Sequence, residues 1–268
     1  MKTLNVLVDA TLIIEKLRVA SEVRQSHLAL RGKKDSETDE LHNRLVDLEK
    51  YVDGRIAKLL ESHPAYFWFS KVKGIGKENI GKVVGLVRVE PETDSEGIEL
   101  PYATTISALW SFSGFSVENG KAPKRKAGET LAYNSQLRSM CWRVGGSLLK
   151  AKGKFYEYYL AQKEAYVQRF TNANVKIVPA ASLPKVDGKK TETDKYISEG
   201  HIHNMALRKM IKLFLACLWL TWREGLGLSI TKPYAIEKLG HKSFIDPWEM
   251  ADKARIRKKT NTRKRVKP

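Results

Sequence analysis

Leu7, Ala10, Ile14 and Leu17 advance by three and four along the start of the chain, the spacing that keeps residues on one face of a helix. The pattern predicts a helix over residues 4–30, although Asn5 to Asp9 alternates enough to read as a short strand. Gly32-Lys33-Lys34-Asp35 breaks the pattern, and Ser36, with Asp39 three residues on, suits the N-cap of a second helix. Leu41, Leu45, Leu48, Val52, Ile56 and Leu59 then continue at helical spacing. Two long helices joined by a short polar turn make an antiparallel hairpin over residues 1–63. Its narrow stripe fits coiled-coil packing or pairing with a second copy, and fits equally one flank of an ordinary helical core.

His63-Pro64 closes the hairpin, and Tyr66, Phe67, Trp68 and Phe69 follow as an aromatic block. Such a block either anchors a core or stacks on nucleobases. After Gly74-Ile75-Gly76 the pattern predicts a helix to Arg88, an acidic loop over residues 90–99, and a short helix ending near Ser113. Residues 119–128, bounded by glycines and containing Pro123, cannot be helical. Helices are expected beyond Asn134, with Arg138, Arg143 and Lys150, and over residues 154–170. Residues 171–196 show little periodicity and read as a long connection or lid. An apolar helix capped around His201 to Asn204 runs to Gly225 and is expected to be the centre of the domain. Pro233-Tyr234, Gly240-His241 and Asp246-Pro247-Trp248 mark an irregular wrap before a tail rich in lysine and arginine. The fold class is therefore mainly α: a hairpin (1–63), a helical domain (64–252) and a basic tail (253–268) expected to be disordered until it meets a polyanion.

At 268 residues and 42% hydrophobic the chain can bury a sizeable core. A net charge of +18 and a pI near 9.8 exceed what solubility requires and point to a polyanion. Nucleic acid fits better than an anionic membrane surface. The most apolar stretch, residues 213–220, is too short to span a bilayer. Cys141 and Cys217 sit in apolar helical surroundings, which indicates buried free thiols and neither a disulfide framework nor a zinc finger. His201 and His203, two apart, do not share a helical face, so no metal and no cofactor is expected. With no secretory signal evident, a cytoplasmic, nucleoid-associated protein is expected.

Gly74-Ile75-Gly76 has the form of a helix-hairpin-helix turn, whose glycines allow a sharp bend and whose following amides face a phosphate. Lys71, Lys73, Lys77 and Lys82 surround it with positive charge; the plain alternative is a glycine-rich connection. On the phosphate reading Gly76→Val harms binding more than Lys82→Ala. Lys121, Lys124, Arg125 and Lys126 form a second basic loop, which Asn134, Arg138 and Arg143 extend into a phosphate track. Lys258, Lys259, Arg263, Lys264 and Arg265 extend it again in the tail. Duplex DNA is the expected partner, with structured RNA as the alternative and a homodimer through the hairpin.

The order of these parts resembles the bridge-RNA-guided insertion-sequence transposases, which join a RuvC-like DEDD domain to a C-terminal serine domain through a coiled coil. The glycine turn, the helix ending in Ser113-Gly114-Phe115, the basic loop, Asn134-Ser135-Gln136-Leu137-Arg138 and the apolar helix from Asn204 follow that family's sequence of motifs over residues 1–225. Where the family carries a Gln-Ser-Gly with the nucleophilic serine, this chain reads Glu118-Asn119-Gly120, and an asparagine amide cannot form a phosphoseryl link. Asp9 lies in a segment similar to a first RuvC strand, but no sheet is expected after it and no two-metal carboxylate set is evident. The resemblance implies a transposase-derived or accessory recombination protein that binds nucleic acid without its own catalytic centre. The alternatives are an active recombinase using Ser113 or Ser116 and an RNA-binding or dimeric scaffold protein.

Overall fold

The computed structural model describes residues 2–93, 96–117, 122–123, 127–230 and 244–252. Lys121, Lys124, Arg125, Lys126, the Glu118-Asn119-Gly120 triplet, Pro233-Tyr234, Gly240-His241 and the whole tail, with Lys258, Lys259, Arg263, Lys264 and Arg265, lie outside the described residues. Within them the protein is mainly helical, opening with a pair of long helices, α1 (Lys2–Leu30) and α2 (Ser36–Leu59). Asn5 to Asp9 is helix, because Leu4 and Val8, one turn apart, are both buried. No described helix is long and apolar enough to cross a membrane.

The seam of the hairpin differs from the expected apolar stripe. Thr11 donates to Asp53 (3.1 Å), Arg18 pairs with Glu49, Ser21 meets His42 (3.0 Å), and Gln25 donates to Asp39 (2.7 Å). Leu17, Leu41 and Leu48 face solvent instead. The cause is the rotation of α1. Leu4 and Val8 are drawn into the body of the protein, so the residues that follow on their face, Thr11, Arg18 and Ser21, are turned toward α2.

The body begins with α3 (Tyr66–Phe69), the glycine turn and α4 (Lys77–Gly85). α4 stops short of Arg88, and residues 80–85 are all buried. Gly81 and Gly85 form its contact face with the hairpin. A Cβ at Gly81 would lie 2.4 Å from Ile56 Cγ2, and one at Gly85 would lie 2.4 Å from Val8 Cγ2. The helices approach so closely only because these two side chains are missing. Between the glycines, buried Lys82 pairs with Glu15 at 3.1 Å and lies 4.0 Å from Asp53, while Arg143 closes on the other oxygen of Glu15. Burial alone would raise the Glu15 carboxyl, but hydrogen bonds from Arg143 and Lys82 hold it below its usual range.

Next come α5 (Ile106–Phe112), α6 (Ser135–Ala151), α7 (Lys154–Asn172) and α8 (Glu199–Gly225). Asn134 caps α6 by accepting from the Leu137 amide (2.9 Å). α8 is capped by Ser198 ahead of the expected His201–Asn204 stretch, its hydroxyl accepting from the His201 amide. The connection from α7 to α8 is folded into short strands. β3 (Lys176–Val178) pairs in parallel with β6 (Tyr196–Ser198), and β4 (Lys185–Val186) turns at Asp187-Gly188 into β5 (Lys189–Lys190). Strands this short leave no periodicity to read. Likewise β1 (Glu92–Thr93) and β2 (Glu99–Leu100) pair within the acidic loop.

α8 is the centre of the core, with Met210, Phe214, Leu218, Trp219 and Trp222 fully buried. Trp68 lies against Phe214 (5.8 Å between ring centres) and donates from its indole nitrogen to the Pro247 carbonyl, so the block's Trp68 and Phe69 anchor the core. The same cluster takes in Leu4, Val8, Val52 and Ile56, so the base of the hairpin shares one core with the body.

Two predictions follow from this packing. Lys82→Ala leaves the half-buried Asp53 carboxylate without its cation and Glu15 with Arg143 alone, and costs about 3–5 kcal/mol in denaturant unfolding. Arg143→Ala, at a half-exposed side chain, costs about 1 kcal/mol or less; equal losses would show that the buried pair does not hold the hairpin. His63 is packed edge-on against Trp222 (4.3 Å) and accepts from the Ala65 amide, and burial pushes its pKa down to about 4. The unfolded chain takes up that proton first, so stability is intact above pH about 6.5 and falls by up to about 3 kcal/mol as pH drops toward 4. His63→Phe should flatten that part of the pH–stability profile.

Candidate nucleic-acid interface

The glycine turn is pressed against the protein. Gly74 has φ +95°, and a Cβ there would lie 2.5 Å from Ala151 Cβ and 2.9 Å from the Ser147 carbonyl of α6. Gly76 has an ordinary φ of −82° and open space where a side chain would go, so the constraint expected at Gly76 belongs to Gly74. Ile75 is half-buried against the core. An anion does meet the turn, but it is the protein's own. The Asp252 carboxylate accepts from the Lys73 amide (2.6 Å) and from the Lys154 amide at the start of α7 (3.0 Å). Lys77 is exposed and paired with Glu61 (2.7 Å), and Lys82 is enclosed in the ion cluster described above, away from solvent. The ring of positive charge expected around the turn is thus reduced chiefly to exposed Lys71 and Lys73. Lys71 lies 4.0 Å over the ring of Phe67, the exposed member of the aromatic block.

Ser113 is fully buried, and its hydroxyl donates back to the Leu109 carbonyl at 2.6 Å, closing α5. Ser116 is half-buried, and its carbonyl accepts from Arg208 Nη2 at 2.6 Å. Asn134 is spent as a helix cap and Arg143 on Glu15. Arg138 remains. It lies over the ring of Tyr133 (4.9 Å) and donates to the carbonyl of Pro123, inside the basic loop.

Arg138 leads to a group that the sequence pattern hid. Arg208, Lys209 and Lys212 lie on one stretch of α8, read above as part of an apolar helix. Each cation sits near an aromatic ring: Arg208 5.5 Å from Phe115, Lys209 5.6 Å from Tyr166, and Lys212 4.0 Å from Trp110. The Trp110 indole also donates to the Lys212 carbonyl (2.9 Å), which fixes α5 on α8. Among the described residues none of these three side chains has an ion pair. Like charges face one another. Burial, and then the neighbouring Arg138, lowers the Arg208 pKa; burial lowers that of Lys209. Lys212 is pushed down to about 8 by burial first, then by Arg208 and Lys209.

Cations crowded without carboxylates are disfavoured in their charged forms, and an anion brought beside them would offset that cost. It lies where the basic loop's Pro123, the end of α5 and the start of α6 meet α8. The available signal was three cations at positions 208, 209 and 212 interrupting an otherwise apolar helix, with spacing that places 208 and 212 on one face. His201 and His203 are engaged separately, with Glu192 and with the Tyr159 hydroxyl. Cys141 and Cys217 are buried free thiols whose pKa values burial raises. No family model, no curated protein and no solved structure matches this chain.

Proposed function

We propose that this chain binds nucleic acid, most favourably the backbone of duplex DNA, as a transposase-derived or accessory recombination protein without its own catalytic centre. The observation that carries the reading is the cluster of Arg138, Arg208, Lys209 and Lys212, crowded on one face in a chain of net charge +18. Phosphate contacts need concentrated cations and no base-specific geometry. Duplex is favoured over single strands because the rings here are already used: Phe115 is fully buried, and Trp110 has Lys212 over its face. Single-strand binders present open faces for bases to stack on. The non-catalytic part of the reading is supported by Ser113, whose hydroxyl is shut inside the core and committed to a helix carbonyl. A nucleophilic serine needs access to the phosphorus and a base to take its proton.

Binding is expected to fall steeply with salt, and Arg208→Gln with Lys212→Met should weaken it about tenfold or more and reduce the salt slope by about two. Lys212 titrates near 8, so affinity of the unaltered protein should fall as pH rises from 7 to 9. The sign follows from the charge: a phosphate favours the protonated amine, which is lost above that pKa. Lys212→Arg should remove this pH dependence while keeping affinity. Gel shifts with duplex DNA, single strands and structured RNA test all three points. Unchanged duplex affinity in the double variant, with unchanged circular dichroism, would put the interface elsewhere; tighter binding to structured RNA would replace duplex DNA as the partner.

The protein incubated with supercoiled plasmid and magnesium should give neither a strand break nor a covalent protein–DNA adduct after denaturation. A break that disappears in Ser116→Ala would establish a catalytic serine.

A further inference from the structure

Thr3, Val6, Ala10, Ile13, Leu17 and Ala20 recur on α1 at three, four, three, four and three. They lie on the side opposite Leu4, Val8 and Glu15, which face the body. Val6 is 67% exposed, Ile13 61% and Leu17 52%; Ala10 is half-buried. This is a heptad seam on the outside of a hairpin whose inside is polar. A contiguous apolar stripe of this spacing matches a partner helix better than it matches water.

We infer that α1 pairs antiparallel with α1 of a second copy of this chain across a two-fold axis. The charges beside the seam select both the occupant and the direction. Exposed Asp9 and Lys16 flank the same edge of the stripe, and neither has an ion pair among the described residues. In the antiparallel register that interleaves the seam, Val6 meets Leu17 of the partner subunit and Ala10 meets Ile13 of the partner subunit. That register sets Asp9 opposite Lys16 of the partner subunit, and the two-fold repeats the pair. On the other edge it brings half-buried Leu7 toward Ile14 of the partner subunit. A parallel pair would set Asp9 against Ile14 and Lys16 against Ser21 of the partner subunit, leaving both charges unanswered. The stripe is therefore complementary to itself in one direction only. This inference stands apart from the DNA-binding reading, since it uses none of the cations on α8.

The test is sedimentation equilibrium of the full chain. The unaltered protein should show a concentration-dependent dimer, and Ile13→Asp should reduce it to monomer with unchanged circular dichroism. Asp9→Lys alone and Lys16→Asp alone should each weaken association about tenfold or more, through like charges facing each other twice. The double variant Asp9→Lys with Lys16→Asp should restore it. Mild oxidation of a Val6→Cys, Leu17→Cys double variant should crosslink two chains, whereas Val6→Cys alone should not; the native thiols, Cys141 and Cys217, are buried. A protein monomeric at every concentration, a swap that fails to restore the dimer, or efficient crosslinking by Val6→Cys alone would each overturn the inference.

Discussion

One buried charge governs how this protein is assembled. Lys82 is enclosed on α4 between two glycines, Gly81 and Gly85, and its ammonium reaches Glu15 on α1 and approaches Asp53 on α2. The glycines permit the close approach and the lysine requires it, because a cation taken out of water is tolerable only beside its carboxylates. The contact, with Leu4 and Val8 buried on the same face, fixes the rotation of α1. From that rotation follow the polar seam against α2 and the apolar stripe left on the outside. Arg143 reaches the same carboxylate from α6, so the cluster ties α1 to both α4 and α6 of the body.

The same constraint leaves little free positive charge at the glycine turn. A helix buried over most of its length, with Lys82 committed inward and Lys77 paired with Glu61, presents little to a polyanion. The turn itself rests on α6, and Asp252 supplies a carboxylate to the amides beside it. Positive charge that is both concentrated and unpaired is found instead around α8, where Arg208, Lys209 and Lys212 meet Arg138. Pro123, within the basic loop, reaches this cluster through the carbonyl to which Arg138 donates.

The helical class, the hairpin and the central apolar helix were legible because long amphipathic segments carry their period in the sequence. The short strands of residues 176–198 were not, since pairs of only two or three residues have no period. Lys82 and Arg208 show the deeper limit. Both are basic residues on helices of a basic protein, and nothing in spacing tells which has acids waiting for it. Glu15 and Asp53 are distant in sequence from Lys82, while no described carboxylate meets Arg208. Whether a cation is structural or available is a property of tertiary contacts. The glycines carry the same lesson: Gly74 and Gly76 look alike in the motif, but only Gly74 has a positive φ and a neighbour where its side chain would be.

The cation cluster also constrains how any anion must bind. Its charges are held together against mutual repulsion and partial desolvation, so part of the core's stabilisation is used to keep them there. An incoming phosphate removes that repulsion, which makes its binding free energy larger than contacts alone would give. Because Lys212 is only partly protonated near its lowered pKa, the same event draws a proton from solution. Anion binding at this face would therefore couple proton uptake to the α5–α8 contact through Lys212, whose backbone carbonyl already holds Trp110 in place. A polyanion engaged at this face should tighten the packing of α5 on α8 even where it touches neither helix's apolar side.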